Sequence, residues 1–461
     1  MDSEYSVDSG SPRMNPPAGQ PVVAGKPDKH IWGIYILLCL FSIVELYSAS
    51  SREVSASAQF GVLGPVVRHI IFLLIGLGIM LFLQSRHYRD FKRFTYPFAV
   101  LSVLMMVYVI FFGEVINGAR RSMNLLGFQI QPAEFLKLAA VLTLAYILSR
   151  NQIPKGGGVN RKGVWQSAAW VLLFGALLAK QGLTNTVLVM VISLSVMLIA
   201  GVSFKNMGKV VGVYALCGAL FAVYLTVVPE SDSDKVKTEM TVVRTAGGHY
   251  ITQEVEVKTE GDQKAGRMQT WINRWNRFRE RSDEGPMYER EIDAENRQEM
   301  YSYIAQAHGG KTGVGPGNSR EAARLPLAFS DYIYSIIVEE FGLVGGVVVL
   351  ILYLWLLARA SAVASKCSRA YPALLVLGLA VMIVWQALVH MSITTGAGPV
   401  SGQPLPLISK GGTSIIITSI AFGLMLSVSR HAVRHRDKQK SIRQEVDALP
   451  EDIRAVNPTQ L

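Results

Sequence analysis

The chain has 461 residues, half of them hydrophobic, with a mean hydropathy of +0.30 and a formal net charge of +11. So many long apolar runs exclude an ordinary soluble domain. The basic residues fall in alternate loops and not in one patch, which excludes a nucleic-acid binder.

In chain order, residues 1–30 form a polar tail rich in Pro, Gly and Ser, which predicts disorder. No cleavable leader is evident after it. Ten apolar segments follow, at about 31–49, 62–84, 94–113, 133–149, 163–179, 183–202, 209–228, 332–357, 371–395 and 411–429. Each is near the 20 or so residues that cross a hydrocarbon core. The expected architecture is therefore an all-α polytopic membrane protein. It has ten transmembrane helices over 31–430, with a large loop over 229–331 between the seventh and eighth. A basic tail over 431–461 closes the chain. Cys39, Cys217 and Cys367 are scattered and form no disulfide or metal pattern.

Charge sets the orientation. The loops holding Arg86, Arg89, Lys92 and Arg93, then Arg150, Lys155, Arg161 and Lys162, then Lys205 and Lys209, then Arg359, Lys366 and Arg369, share one side when ten helices are counted. The tail from Arg430 joins them. That bias puts both termini in the cytoplasm and the 229–331 loop outside, because long loops cross regardless of charge.

The outward loop before the fourth segment contains Asn117-Gly-Ala-Arg-Arg121 and then Gln131-Pro-Ala-Glu-Phe-Leu-Lys137. Arg120 and Arg121 are paired guanidiniums suited to phosphate, although for such a pair taken alone anchoring at headgroups is the commoner role. Pro132 suits a helix first turn. Glu134 and Lys137 lie at i, i+3 on one helix face. They read as an ion pair between helices or as part of a substrate cavity.

The large loop has three parts. Residues 238–258 alternate β-branched and polar residues around Gly247-Gly248, a hairpin pattern that also fits a disordered insertion. Residues 267–281 place Trp271, Trp275 and Phe278 at helical spacing among arginines, which predicts an amphipathic helix on the membrane surface. Residues 308–319 hold five glycines, a weak phosphate signal without a P-loop ending. Asp331 follows, at the outer edge of the eighth segment. Ser330 is a good N-cap, so Asp331 is expected to open that helix, ionised near neutral pH under the helix dipole. Glu339 and Glu340 lie deeper in the same run, as cavity or packing residues. Carboxylates at such positions are costly to keep and mark function.

The last outer loop, Gly396–Ser414, combines glycines, prolines and an apolar core at Leu405–Ile408. It reads as a re-entrant segment or a surface turn. His249, His308 and His390 are far apart in sequence, and there is no zinc spacing or dinucleotide fingerprint.

Taken together, these motifs resemble the SEDS (shape, elongation, division and sporulation) family of peptidoglycan glycosyltransferases, over most of 31–430. The resemblance is carried by NGARR at 117–121 and QPAEFLK at 131–137. It extends through Gln298-xxx-Ser302-x-Ile304-Ala305, GVGPGNS at 313–319, LPLAFSDYIYSIIVEEFG at 325–342 and PLPLISKGGTS at 404–414. The GPGNS loop is closer to the division branch than to the elongation branch.

The resemblance implies an inverting glycosyltransferase that joins the sugars of lipid II into β-1,4 glycan strands at the outer leaflet, during septal wall synthesis. Asp331 matches the family's essential catalytic aspartate. Arg120, Glu134 and Lys137 match its central cavity. Arg121, Asn318, Ser319, Glu339 and Lys410 lie in the matching motifs as substrate-contact candidates. The resemblance also implies a class B penicillin-binding protein and other division proteins as partners. It leaves room for a divalent cation, although no metal constellation stands in the sequence.

Departures are Lys180–Thr186, which lacks an aspartate that many relatives carry, His390 where asparagine is usual, Lys410 where tyrosine is common, and an insertion at 231–265. A lipid-precursor flippase and a non-catalytic division scaffold are the competing readings.

Overall fold

The computed structural model describes residues 25–50, 64–116, 119–125, 128–153, 158–227, 237–244, 250–257, 275–276, 278–279, 292, 296–325, 328–367, 369–399 and 401–447. Residues 1–24 of the predicted N-terminal tail, most of the 267–281 helix and the final residues lie outside these. Residues 25–30 of that tail are ordered against the bundle and run into the first helix.

Helices occupy all ten predicted apolar segments: α1 (Lys29–Ser50), α2 (Gly64–Ser85), α3 (Tyr88–Phe112), α4 (Pro132–Arg150), α5 (Arg161–Ala179), α6 (Leu183–Ile199) and α7 (Phe204–Val227); then, beyond a short helix α8 (Arg297–Gly309), α9 (Ile333–Ala364), α10 (Ala370–Thr394) and α11 (Gly412–Asp447). Among the described residues, eight of these are long and apolar enough to cross a membrane. The exceptions are α6, apolar but shorter, and α7. The last helix continues past the predicted end at 429 to Asp447.

Three helices form the centre: α4, α10 and the Gly412–Arg430 part of α11. α4 is buried over most of its length and packs against α3 and α10, and α10 is nearly as enclosed. α2 runs along α11. A Cβ at Gly423 would lie 3.1 Å from the Met80 carbonyl oxygen, so glycine lets these two backbones approach. The outer helices turn apolar side chains outward: Leu104, Phe111, Phe112 and Leu216 are all more than half exposed. Such a surface is compatible with lipid and not with water.

The end of the bundle holding α1's first residue is clamped by polar contacts. Arg359 of α9 grips Asp28 with a fork, Nε and Nη2 lying 2.9 and 2.7 Å from Oδ2. The Asp28 amide donates to Ser429 Oγ of α11 at 3.1 Å. Arg430 Nη1 donates to the Gln84 carbonyl of α2 at 3.2 Å. Bidentate geometry of this kind fixes orientation as well as charge.

The loop between α3 and α4 departs from the all-α expectation. It forms an antiparallel meander of β1 (Glu114–Ile116), β2 (Ala119–Leu125) and β3 (Phe128–Ile130). Strands this short carry too little alternation to be legible as sequence. The hairpin expected at 238–258 is present as β4 (Lys237–Arg244) paired in register with β5 (Tyr250–Val257).

Candidate active site around Asp331

The site is built where three segments meet: the β-meander, the residues before α9, and the 401–411 loop. α9 starts at Ile333, with Tyr332 in the cap position and no side-chain cap. Ser330 is thus not the N-cap, and Asp331 sits before the helix, not in its first turn. Its position is fixed by tertiary contacts. Lys410 N donates to the Phe329 carbonyl at 2.8 Å, and Ser409 Oγ to the Ser330 carbonyl at 2.7 Å. A Cβ at Gly402 would lie 2.9 Å from Asp331 Oδ2, so the loop backbone passes directly beside the carboxylate.

The 401–411 loop folds back into the protein, as its apolar core suggested. Leu405, Leu407 and Ile408 are fully enclosed. Its carbonyls are satisfied by buried side chains of the bundle. Tyr353 Oη donates to Pro406 O at 2.6 Å and Ser42 Oγ to Ile408 O at 3.1 Å. His69 Nε2 lies 2.6 Å from the same Ser42 oxygen. Since the hydroxyl proton is given to the carbonyl, the imidazole is the donor in that contact. His390 Nδ1 lies 2.6 Å from the Gln403 carbonyl, which can only accept, so Nδ1 carries the proton. Leu407 has a φ of 64°, a left-handed conformation rare for a branched residue, and it persists because its neighbours are so tightly held.

Burial pushes the Asp331 carboxyl up to about 6, against the opposing pull of the Ser330 hydrogen bond and the Arg121 charge. At about 6 the group still lies below neutral pH, but burial works against ionisation, and the Ser330 hydrogen bond and the Arg121 charge oppose burial in place of a helix dipole. A base near 6 is also better matched to proton transfer at physiological pH than an ordinary aspartate.

Arg121 belongs to β2 and acts on Asp331 electrostatically. Arg120 lies in the same strand, and its side chain is outside the described residues. Glu134 and Lys137 form an ion pair of 2.6 Å, and both are buried. Gln386 Nε2 of α10 donates to the other Glu134 oxygen at 3.2 Å. The start of α4 is tied to the same loop system, since Gln131 N donates to Thr413 Oγ1 at 3.2 Å.

The remaining candidates have other occupations. Lys410 Nζ stands 5.1 Å from the Phe329 ring centroid. Asn318 is exposed, and its Nδ2 closes the glycine loop onto the Val314 carbonyl at 3.1 Å. Ser319 donates to Glu339 and accepts from Ala322 N at 3.0 Å. Glu339 is wholly buried and also receives Arg320 N and His308 Nδ1, each at 2.9 Å. Its carboxylate organises the loop before Asp331 and is consumed in doing so.

The glycine-rich loop proves to be a plug for a broken helix. α9 has a non-helical residue, Gly342, at φ 69° and ψ −175°. The groups freed by that break are taken by the loop: Val314 N and Gly315 N donate to the Glu339 and Glu340 carbonyls at 3.0 and 2.9 Å, and Leu343 N donates to Gly310 O at 2.9 Å. This is how irregular backbone is tolerated inside an apolar bundle. Gly313, at φ 80°, would collide with the Glu340 carbonyl if it carried a Cβ.

Glu45 was not singled out in the sequence, although a carboxylate inside the first apolar run was a visible signal. It is fully buried and an electrostatic neighbour of Glu340, which accepts from Ser48 Oγ. Among the described residues, neither Glu45 oxygen has a hydrogen-bond partner. No group of three or more His, Cys, Asp or Glu among those residues could hold a metal ion.

A family model described as cell cycle protein, FtsW, RodA and SpoVE, matches residues 28–434. The chain belongs to this family. A probable peptidoglycan glycosyltransferase FtsW of Dichelobacter nodosus is 30% identical over 416 residues, covering 87% of this chain and 90% of the relative. The Bacillus subtilis protein of the same description is 25% identical, covering 88% and 91%. The fold matches a chain of a peptidoglycan synthase complex that coordinates polymerisation and crosslinking, with TM-score 0.62, 24% identity and coverage of 88% and 98%. It also matches Thermus thermophilus RodA, with TM-score 0.55, 25% identity and coverage of 88% and 97%. As a member of the FtsW/RodA/SpoVE family, the chain is a polytopic membrane protein, and its eight long apolar helices fit that class.

Proposed function

We propose that the chain is a peptidoglycan glycosyltransferase that polymerises lipid II at the outer face of the cytoplasmic membrane, with Asp331 as general base. The observation that carries the assignment of Asp331 is its environment: a carboxylate enclosed by the 401–411 loop, raised to about 6 by burial, with Arg121 beside it. The chemistry asks for this combination. The acceptor sugar hydroxyl gives its proton to Asp331 as its oxygen attacks the anomeric carbon of the donor. The bond from that carbon to the pyrophosphate oxygen breaks, with inversion, and the electron pair leaves on the pyrophosphate. Arg121 of β2, which acts electrostatically on Asp331, is a cation suited to receive that charge, and Arg120 is its neighbour in the strand. Lys137 is engaged by Glu134 of the same helix, and it is Glu134, accepting from Gln386, that ties α4 to α10; the part of Lys137 is to neutralise that carboxylate.

Ten crossings, with both termini in the cytoplasm, put Asp331 outside, where lipid-linked precursor is displayed. The family's division branch, the GPGNS loop and the FtsW relatives support a role at the septum beside a class B penicillin-binding protein. The test is polymerisation of lipid II by purified protein in detergent. The natural chain is expected to form glycan polymer, and Asp331→Asn, which keeps size but loses the base, is expected to fall by about 10²–10⁴-fold. Near-normal polymerisation by that variant would remove Asp331 from the chemistry. A flippase would yield no polymer in detergent at all.

A further inference from the structure

The described residues include a second built cavity, at the opposite end of α4 from the Asp331 loop. It is a cleft of about 200 Å³ where the first turns of α3 and α10 meet the last turn of α4. Arg89, Lys92, Arg150 and Arg369 line it together with Ser149 and Tyr371, and no carboxylate does. None of these four cations makes an ion pair among the described residues. The nineteen residues of α4 separate the cleft from the catalytic loop by about 28 Å at 1.5 Å per residue.

Two features make the cleft more than a set of topology-setting charges. First, two of its cations lean on aromatic side chains, half-buried Lys92 on Tyr371 and exposed Arg150 on Tyr146. Lys92 Nζ lies 4.9 Å from the Tyr371 ring centroid, and Arg150 Nη1 donates to Tyr146 Oη at 3.1 Å. Second, the N-terminus of α10 at Ala370 borders the cleft, as does that of α3 at Tyr88, where the Arg89 amide is already taken by His87 Nδ1. The cap residue of α10, Arg369, makes no side-chain cap, so the first amides of that helix are not taken by a side chain. Helix N-termini and convergent cations are each suited to an anion, and together they define one of phosphate size.

The source of the phosphate follows from the surroundings. The cleft opens beside the outward apolar side chains of α3, where Phe94 and Val100 are at least half exposed. A molecule with a phosphate head and acyl tails would satisfy both surfaces at once. The basic loops place this end at the cytoplasmic leaflet, where anionic phospholipid is available and where basic pockets between helices recognise such heads.

We propose that this cleft binds the phosphodiester headgroup of an anionic phospholipid. The proposal is independent of the glycosyltransferase reading, because its readouts are binding and melting and not polymerisation.

The experiment uses the full chain. Affinity for a fluorescent short-chain phosphatidylglycerol is measured in detergent, and melting is measured in phosphatidylcholine vesicles with and without phosphatidylglycerol. The variants are Lys92→Gln, Arg150→Gln, Arg369→Gln and their combination. Saturable binding is expected, weakened about fivefold by each neutralisation. The melting gain from phosphatidylglycerol is expected to disappear in the triple variant. Equal melting of triple variant and natural chain in phosphatidylcholine alone shows that folding is intact. If it melts lower, Lys92→Arg, which keeps charge, is expected to retain affinity.

Inorganic phosphate serves as the second arm. If it alone gives the full melting gain, and the lipid adds nothing, the site takes free phosphate and the lipid assignment is overturned. Undiminished lipid affinity in the triple variant would overturn the proposal outright.

Discussion

Lys137 Nζ lies 2.6 Å from Glu134 Oε1, and both side chains are sealed inside the bundle. An ion pair in that setting contributes little net stability while intact, but removing one partner leaves a buried charge uncompensated. Lys137→Ala is expected to cost about 3–5 kcal/mol, read as a large fall in melting temperature in detergent. Replacing both residues by leucine is expected to recover most of that loss. If Lys137→Ala alone melts like the natural chain, the pair is not electrostatically isolated.

Asp331 gives a prediction with two opposite signs. Its carboxyl is raised from 3.8 to about 6 by burial. Between those values the folded state binds more protons than the unfolded state. Stability from this group therefore falls as pH rises through that window, and at neutral pH the ionised carboxylate is a net cost. Asp331→Asn is expected to melt higher than the natural chain at mildly alkaline pH, with the difference vanishing in acid. Polymerisation by the natural chain is expected to rise with pH, to be half-maximal near pH 6, and to level off about one unit above that. A variant both inactive and less stable at alkaline pH would point to a structural role.

The plug in α9 predicts which glycines matter. Gly313→Ala introduces both a left-handed strain and a collision with the Glu340 carbonyl. Gly317, at φ 80°, has open space around its missing side chain. Gly317→Ala is expected to cost about 1 kcal/mol, for backbone strain alone, and Gly313→Ala clearly more. Thermal melting of the two side by side decides it. Equal costs would mean that the loop does not seat on the helix break in solution.

The β4–β5 hairpin lies in the 231–265 insertion and pairs with itself. Deleting 236–260 is expected to leave polymerisation in detergent largely intact, since its strands complete no sheet of the bundle. Complete loss of activity in a deletion that still melts cooperatively would place the insertion in the catalytic machinery.

The sequence alone determined the helix positions, because a run of about 20 apolar residues has few alternatives to crossing a bilayer. It marked Asp331, Glu134, Lys137 and the hairpin, since each announces itself by residue type, spacing or alternation over a short window. What surrounds those residues is decided by contacts between distant segments. Burial, with the Gly402 backbone packed beside it, raises the proton affinity of Asp331, and no local pattern around Ser330 announces it. Glu339 and Ser319 resembled substrate contacts until the fold turned them toward each other. The glycines of 309–317 suggested an anion loop, yet they seat on the break at Gly342. Burial, pairing and raised proton affinity are properties of what the rest of the chain brings near a group. Only the tertiary structure sets those distances.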